Sequence, residues 1–122
     1  MRHPNFVLLY VAQPLKSAEF YQDLLDCLPI ESSPGFALFS LDSGMMLGLW
    51  ARDHVLPSAT GQAGAGEIAM TVDSKEEVDN MYQAWMDKSI PMAQTPVDLD
   101  FGYTFVALDP DGHRIRVFAP SM

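Results

Sequence analysis

The residues of this chain that most often carry out chemistry are three histidines and one cysteine, and their spacing matches no catalytic or metal-binding motif. His3, His54 and His113 lie far apart in the sequence and form neither an H-x-x-x-H pattern nor a facial triad. Cys27 is the single cysteine, so neither an intrachain disulfide nor a cysteine zinc cluster can form. No Ser-His-Asp or Cys-His arrangement is legible, and we expect Cys27 to be packed rather than nucleophilic.

A second set of chemically useful residues alternates along a predicted strand near the C-terminus. Residues 114–118 read Arg-Ile-Arg-Val-Phe, and their two aliphatic side chains suit a buried face. The two arginines and Phe118 then share the other face. Guanidinium groups can bind a carboxylate in a bidentate manner or stack on a ring, and aromatic side chains stack on flat ligands. This strand therefore favours binding of a flat molecule.

Two half-length copies of one pattern supply the elements that position these residues. At an offset of 61 residues, the strand around Tyr10 aligns with the strand around Thr71. At an offset of 67, Gly35–Asp42 aligns with Gly102–Asp109, and after one inserted residue Gly44–Ala51 aligns with Gly112–Ala119 at an offset of 68. Each copy reads as strand, helix, short extended piece and two strands joined by a tight turn. We predict a single domain, residues 1–122, with repeat one at about 1–56, a linker at 57–66 and repeat two at about 67–122.

Both predicted helices carry start signals and one apolar face. Pro14 suits a first helical turn, and Ser74 with Glu77 has the spacing of a capping box. A helical period of 3.6 residues places the apolar side chains of each helix on one side. This face comprises Ala18, Tyr21, Leu24, Leu25 and Leu28 in the first helix and Val78, Met81, Tyr82, Trp85 and Met86 in the second.

The amino-acid composition narrows the classes of molecule that this protein can bind. The 122 residues are 48% hydrophobic and carry 7 basic against 16 acidic side chains, a net charge of −9. This charge opposes binding to nucleic acid or to anionic lipid. The longest apolar run, Phe6–Ala12, is far shorter than the roughly 20 residues of a membrane helix. Together with the single cysteine, these features favour a cytoplasmic protein without membrane or nucleic-acid partners.

The repeat and two local motifs resemble a known superfamily. Tyr10 and its neighbours precede Ser-Ala-Glu-Phe-Tyr-Gln-Asp-Leu-Leu at residues 17–25, and Asp-Pro-Asp-Gly-His-Arg-Ile occupies residues 109–115. This combination is similar to the glyoxalase / bleomycin-resistance / vicinal-oxygen-chelate superfamily over essentially the whole chain. The resemblance implies an α+β fold in which two βαβββ repeats form curled mixed sheets around a concave trough. Residues 46–50, 100–103 and 114–118 look closest to its small drug-binding members, including phenazine-antibiotic resistance proteins, and imply a homodimer.

The enzymes of this superfamily hold a divalent metal on the concave face. Carried over one by one, the ligand positions correspond to Phe6, Gly48, Glu67 and Arg116 in this chain. Only Glu67 has a suitable donor atom, because phenylalanine and glycine have none and a guanidinium repels a cation. A single carboxylate cannot complete a metal centre. We therefore expect no metal and no cofactor, with Glu67 as the one weak candidate ligand.

Strand parity assigns the lining of the trough. The first and fifth strands contribute Phe6, Leu8, Tyr10, Glu67, Ala69 and Thr71; the third and seventh contribute Phe36, Leu38, Ser40, Tyr103 and Phe105; and the fourth and eighth contribute Met46, Gly48, Trp50, Arg114, Arg116 and Phe118. From this set the predicted ligand-binding residues are Phe6, Tyr10, Ser40, Met46, Gly48, Trp50, Tyr103, Phe105, Arg114, Arg116 and Phe118. We expect Gly48 to let a ring approach the backbone.

Alternative interpretations stay open. Trp50 can serve in a core or a dimer interface, and Arg114 and Arg116 can pair with Asp98, Asp100 or Glu67. The leading hypothesis is a non-catalytic protein that sequesters a planar aromatic molecule such as a phenazine. The second is a metal-dependent lyase, isomerase or dioxygenase that uses Glu67 with His113 or His54. A third is a module that binds a peptide.

Overall fold

The computed structural model describes residues 2–121. The chain divides between Gly61 and Gln62 into two compact units. Each unit is a four-stranded mixed sheet with one helix, so the fold is α+β and the repeat is βαβββ in both halves, as the sequence predicts. Among these residues, neither helix has the length and apolar character needed to cross a bilayer.

The first unit contains β1, α1, β2, β3 and β4. These elements span Phe6–Val11, Pro14–Leu25, Glu31–Ser32, Phe36–Ser40 and Met46–Ala51, followed by a 3-10 turn at Arg52–His54. The strand order is β1-β4-β3-β2, with β1 parallel to β4 and the other pairs antiparallel. One face of the sheet packs on α1. Its buried side chains are Val11, Ala37, Phe39, Leu47 and Leu49.

Helix α1 begins as predicted and ends earlier than its apolar period suggests. Pro14 is at the start of the helix, where its missing N–H is not needed for a helical hydrogen bond. Tyr21 and Leu24 are buried against the sheet. Asp26 takes a left-handed conformation, φ 55°, which ends the helix. Leu28 therefore lies outside the helix and is 72% exposed, so its predicted place on the apolar face is wrong.

The second unit contains β5, α2, β6, β7 and β8. They span Glu67–Thr71, Lys75–Asp87, Met92–Leu99, Gly102–Leu108 and Arg114–Pro120. The strand order is β5-β8-β7-β6, and β5 is parallel to β8. Ser74 caps α2, because its Oγ accepts a hydrogen bond from the Glu77 N–H at 3.2 Å, as the capping-box spacing predicts.

The two hairpins show that the repeats align at an offset of 68 along β3 and β7, not 67. The Gly44 N–H donates to the Leu41 carbonyl at 3.0 Å, and the Gly112 N–H donates to the Asp109 carbonyl at 3.0 Å. The hairpin loops therefore have equal length, and Leu41 corresponds to Asp109. The predicted alignment is one residue out in β7. Such a slip exchanges the two faces of a strand.

Tyr103 and Phe105 are consequently on the helix side of their sheet, and their predicted place in the trough is wrong. Phe105 pairs with Val117, is 0% exposed, and lies with its ring centroid 5.3 Å from that of Trp85 and 5.4 Å from that of Tyr82. The Tyr103 hydroxyl donates a hydrogen bond to a carboxylate oxygen of Asp79 on α2 at 2.7 Å. The face that they were expected to occupy belongs to Thr104 and Val106, the partners of Phe118 and Arg116.

Candidate functional site

We call the side of each sheet opposite its helix the open face. In the first unit, the strand register places every predicted lining residue of β1, β3 and β4 on this face. Cross-strand neighbours share a face because side chains alternate along each strand. The residues are Phe6, Leu8 and Tyr10 from β1, Phe36, Leu38 and Ser40 from β3, and Met46, Gly48 and Trp50 from β4.

Gly48 lies beneath side chains of the protein itself. A Cβ atom built on Gly48 would lie 2.6 Å from Leu8 Cδ2, 3.0 Å from Phe36 Cζ and 3.1 Å from Phe6 Cε1. Gly48 does allow rings to approach the backbone, but in this structure those rings are Phe6 and Phe36 rather than a ligand. A flat molecule would stack on these side chains or displace their flexible ends.

Trp50 lies on the open face, whereas the other tryptophan, Trp85, is a buried residue of α2. The Trp50 ring is half-buried and meets Tyr10 edge to face, with centroids 6.2 Å apart and an interplanar angle of 82°. Phe6 and Leu8 beside them are exposed. This arrangement leaves a partly solvated aromatic surface on which a planar molecule can stack.

The open face of the second sheet carries a hydrogen-bonded cluster around Arg116. Its Nε donates to Glu67 Oε1 at 2.5 Å, and its Nη1 donates to Thr104 Oγ1 at 3.1 Å and to Gln94 Oε1 at 3.4 Å. Thr104 is fully buried and donates its own hydroxyl proton to the Val117 carbonyl at 2.9 Å. Pairing of Arg116 with Glu67, one of the alternatives open in the sequence, is thus what the structure contains.

Two phenylalanines flank the Arg116 cluster. The guanidinium carbon lies 5.5 Å from the centroid of the Phe101 ring, within the range of a cation–π contact. Phe101 in turn meets Phe118 edge to face at 5.3 Å, and it remains 44% exposed. Arg114 lies on the same face of the strand and is exposed, outside this cluster. Charged and aromatic groups are therefore adjacent here, as in an aromatic binding site with a polar anchor.

The donor set does not fit the divalent metal of the superfamily's enzymes. Phe6 and Gly48 have no donor atoms, and Arg116 brings a permanent positive charge to the only carboxylate, Glu67. Within residues 2–121, no group of three His, Cys, Asp or Glu side chains is placed to hold a metal ion. The alternative in which Glu67 ligates a metal together with His113 or His54 stays a hypothesis.

A cavity of about 330 Å³ lies at the C-terminal end of α1, a site that the sequence did not predict. Its lining comprises Glu19, Gln22, Asp23, Asp26, Cys27 and Leu28. Burial, with smaller contributions from the Asp42 and Asp26 carboxylates, raises the pKa of the Cys27 thiol. Because a thiol must ionise to act as a nucleophile, this surrounding disfavours reactivity of Cys27, in line with the sequence analysis.

Thr104, Gln94 and Phe101 are members of the second-sheet cluster that the sequence analysis missed. The one-residue error in the predicted alignment of β7 placed Thr104 on the helix side of its sheet, so Thr104 was not predicted to line the trough. Gln94 lies on β6, whose pairing with β7 is irregular on either side of it, so simple alternation does not give its face. Phe101 precedes β7 in a turn, where strand parity does not apply.

Comparison with known proteins places the chain in a family. A family model for the glyoxalase/bleomycin resistance protein/dioxygenase superfamily matches residues 3–117. The phenazine antibiotic resistance protein EhpR of Enterobacter agglomerans is 27% identical over 117 residues, which cover 93% of this chain and 89% of that protein. An Agrobacterium tumefaciens protein solved by NMR in solution is 47% identical, with a TM-score of 0.91 and coverage of 100% of both chains.

A more distant likeness concerns the fold alone. Lactoylglutathione lyase from Agrobacterium tumefaciens is 20% identical, with a TM-score of 0.77 over 93% of this chain and 90% of its own. The family match spans nearly all of the sequence and agrees with the two βαβββ units. The chain belongs to the glyoxalase/bleomycin resistance protein/dioxygenase superfamily.

Proposed function

We propose that this protein binds and sequesters a planar aromatic small molecule, such as a phenazine-type antibiotic, without converting it chemically. The observation that carries the proposal is the partly exposed aromatic surface around Trp50 on the open face of the first sheet. Large flat rings bury apolar area there and gain edge or stacking contacts. The similarity to EhpR, a phenazine antibiotic resistance protein, supports the same ligand class.

The composition of this surface favours binding over chemistry. Tyr10, Trp50, Phe36 and Phe6 supply rings, and Ser40 supplies one hydroxyl group. Such a lining holds a ligand by shape and apolar contact, with the hydroxyl groups of Tyr10 and Ser40 among its polar atoms. At the metal positions the residue types do not fit a divalent ion, so no metal-assisted step is assigned.

We further propose a homodimer that works in the cytoplasm. The dimer is supported by the resemblance to drug-binding members of the superfamily, and the location is supported by the single cysteine, for which a reducing compartment is the simplest setting. Light scattering at working concentration tests the dimer, and a monomer would contradict it. Fractionation of the native host tests the location.

Binding is tested by calorimetric titration of the purified protein with phenazine. We expect saturable binding by the wild type and about tenfold weaker binding by Trp50→Leu, because lost ring stacking is worth about 0.5–1.5 kcal/mol in addition to lost area. Phe20→Leu is the matched control. Phe20 is on α1 and packs on Tyr21, away from the open face, so its loss should leave binding unchanged.

Three outcomes would contradict the proposal. The first is no binding of phenazine or a related planar aromatic at high micromolar concentration. The second is recovery of a chemically altered ligand by mass spectrometry after incubation. The third is stoichiometric nickel, zinc, iron or manganese in protein purified without chelator, which would favour the enzyme hypothesis.

A further inference from the structure

Arg116 has donors that the protein leaves unused. A guanidinium carries five N–H groups. Within residues 2–121, the Nε proton and both Nη1 protons have acceptors on Glu67, Thr104 and Gln94, and Nη2 has none. No buried side-chain nitrogen or oxygen in this part of the chain lacks a partner, so Nη2 must be reached by solvent although the Arg116 side chain is only 14% exposed. Nη2 is therefore available to a ligand.

The orientation of the guanidinium is fixed before any ligand arrives. The Glu67 carboxylate accepts a hydrogen bond from Nε, and the Thr104 hydroxyl oxygen accepts one from Nη1. Thr104 is itself buried and hydrogen-bonded to the Val117 carbonyl. The ring of Phe101 lies against the guanidinium carbon at 5.5 Å. A preorganised donor loses little conformational freedom on binding, which favours affinity. The exposed ring beside it can contact the aromatic part of the same ligand.

Glu67 cancels the charge of this site. Its carboxylate, 31% exposed, forms an ion pair with Arg116, so the two side chains together carry no net charge. A ligand carboxylate on Nη2 would lie within about 6 Å of Glu67, a range in which like charges disfavour each other. A neutral acceptor outside the ring system, such as an amide oxygen, accepts the same hydrogen bond without this repulsion.

We propose that Arg116, with Glu67 as its built-in counter-ion, makes the second open face select planar ligands that carry a neutral hydrogen-bond acceptor outside the ring system, such as an amide oxygen, rather than a negative charge. The inference rests on the proposed function for its class of planar ligand, and it goes beyond that function by assigning a second binding surface on the open face of the second sheet. Arg116 is the residue that contacts the ligand. Glu67 is a positioning residue that also suppresses binding of anions.

The test compares three probes of one shape: phenazine, phenazine-1-carboxamide and phenazine-1-carboxylate, titrated calorimetrically at neutral pH. We expect the wild type to bind the carboxamide about tenfold more tightly than phenazine, the factor that corresponds to one added hydrogen bond to a charged group. The carboxylate should bind no more tightly than the carboxamide. Arg116→Met should remove the advantage of the carboxamide, and Lys16→Met, which removes an exposed charge on α1, should keep it.

Glu67→Gln tests the counter-ion. This change keeps an acceptor for Nε and removes the negative charge, so binding of the carboxylate should strengthen about tenfold relative to the carboxamide as its hydrogen bond becomes charge-assisted. Glu76→Gln, an equal loss of charge in the first turn of α2, should leave the ratio unchanged. If Arg116→Met does not fold, as judged by circular dichroism, Arg116→Lys retains the charge, lacks Nη2, and should lose the preference as well.

The results separate this inference from the proposed function. Equal binding of all three probes by the wild type, or an unchanged preference in the Arg116 variants, would overturn the inference and leave sequestration standing. A tenfold preference of the wild type for the carboxylate over the carboxamide would overturn it too, as would an unchanged ratio in Glu67→Gln. No binding of any probe would overturn both proposals.

Discussion

Truncation of the Phe105 side chain tests whether Phe105 is a core residue or a ligand-binding residue. The alignment of the repeats predicts Phe105 in the trough, whereas the structure buries it completely beneath α2. If the structure is right, Phe105→Ala must lower the stability of the protein. If the sequence-based placement were right, the same change would lower ligand affinity and leave stability nearly intact.

The magnitude follows from the burial of the ring and its contacts. Removal of a fully buried phenylalanine side chain costs about 3–5 kcal/mol, from lost transfer free energy and from the cavity that remains. The contacts with Tyr82 and Trp85, at centroid distances of 5.4 and 5.3 Å, place Phe105 in the upper part of that range. We therefore expect a loss of about 4–5 kcal/mol, a large fraction of the roughly 5–15 kcal/mol that stabilises a typical domain.

The assay is equilibrium unfolding in urea, monitored by tryptophan fluorescence because Trp85 lies beside the mutated site. Phe105→Leu, with an expected loss of about 1–2 kcal/mol, keeps the test informative if the alanine variant is unfolded. Phe101→Leu is the matched control, since Phe101 is half-exposed, and its loss should stay below about 1 kcal/mol. A loss below 1 kcal/mol for Phe105→Ala would refute the placement in the core.

Two further predictions concern β7. Gly102→Ala should destabilise the protein by about 3 kcal/mol in the same assay, because the new Cβ would overlap the Ala119 carbonyl oxygen and lie 3.0 Å from Pro120 Cα, both in the backbone of β8; an unchanged unfolding midpoint would contradict this. The hydrogen bond to Asp79, with a smaller effect of burial, raises the pKa of Tyr103. This hydrogen bond therefore stabilises the folded protein fully below the unfolded pKa of about 10, and the stabilisation is lost as pH rises through the folded pKa. Absorbance titration should show Tyr103 ionising at lower pH in Asp79→Ala than in the wild type, and identical titration curves would contradict it.

The faces of the first sheet could be predicted from sequence because β8 alternates arginine with buried aliphatic residues, and the repeat offset of 68 transfers that alternation onto β4. In β4, Leu47 and Leu49 are buried, whereas Gly48 and Trp50 alternate with them on the other side. Parallel pairing with β1 then fixes the face of each β1 residue. A period of two with one buried face specifies strand register strongly.

The same reasoning failed in β7 because that strand has no such alternation. Residues 102–108 read Gly-Tyr-Thr-Phe-Val-Ala-Leu, and five of them are buried, from both faces. A continuous apolar run does not determine its own parity. The predicted faces of the β7 residues therefore depended on aligning Gly35 with Gly102, and these two glycines have different structural roles. Gly35 precedes its strand, whereas Gly102 is the first residue of β7 and pairs with Pro120.

The Arg116 cluster also gives a physical reason why metal chemistry and ligand binding exclude each other on this face. By resemblance, Glu67 and Arg116 occupy two of the four metal-ligand positions of the superfamily's enzymes. A divalent cation at Glu67 would have to share the carboxylate with the Arg116 Nε–H, which donates to Oε1 at 2.5 Å, and would lie within a few ångströms of a second positive charge. Arginine at one of these positions offers no atom that could bind a metal. It also forms an ion pair with Glu67, the carboxylate among the four positions. The same substitution leaves Nη2 facing solvent beside an exposed phenylalanine, so the groups that exclude a metal are those proposed to anchor a neutral planar ligand.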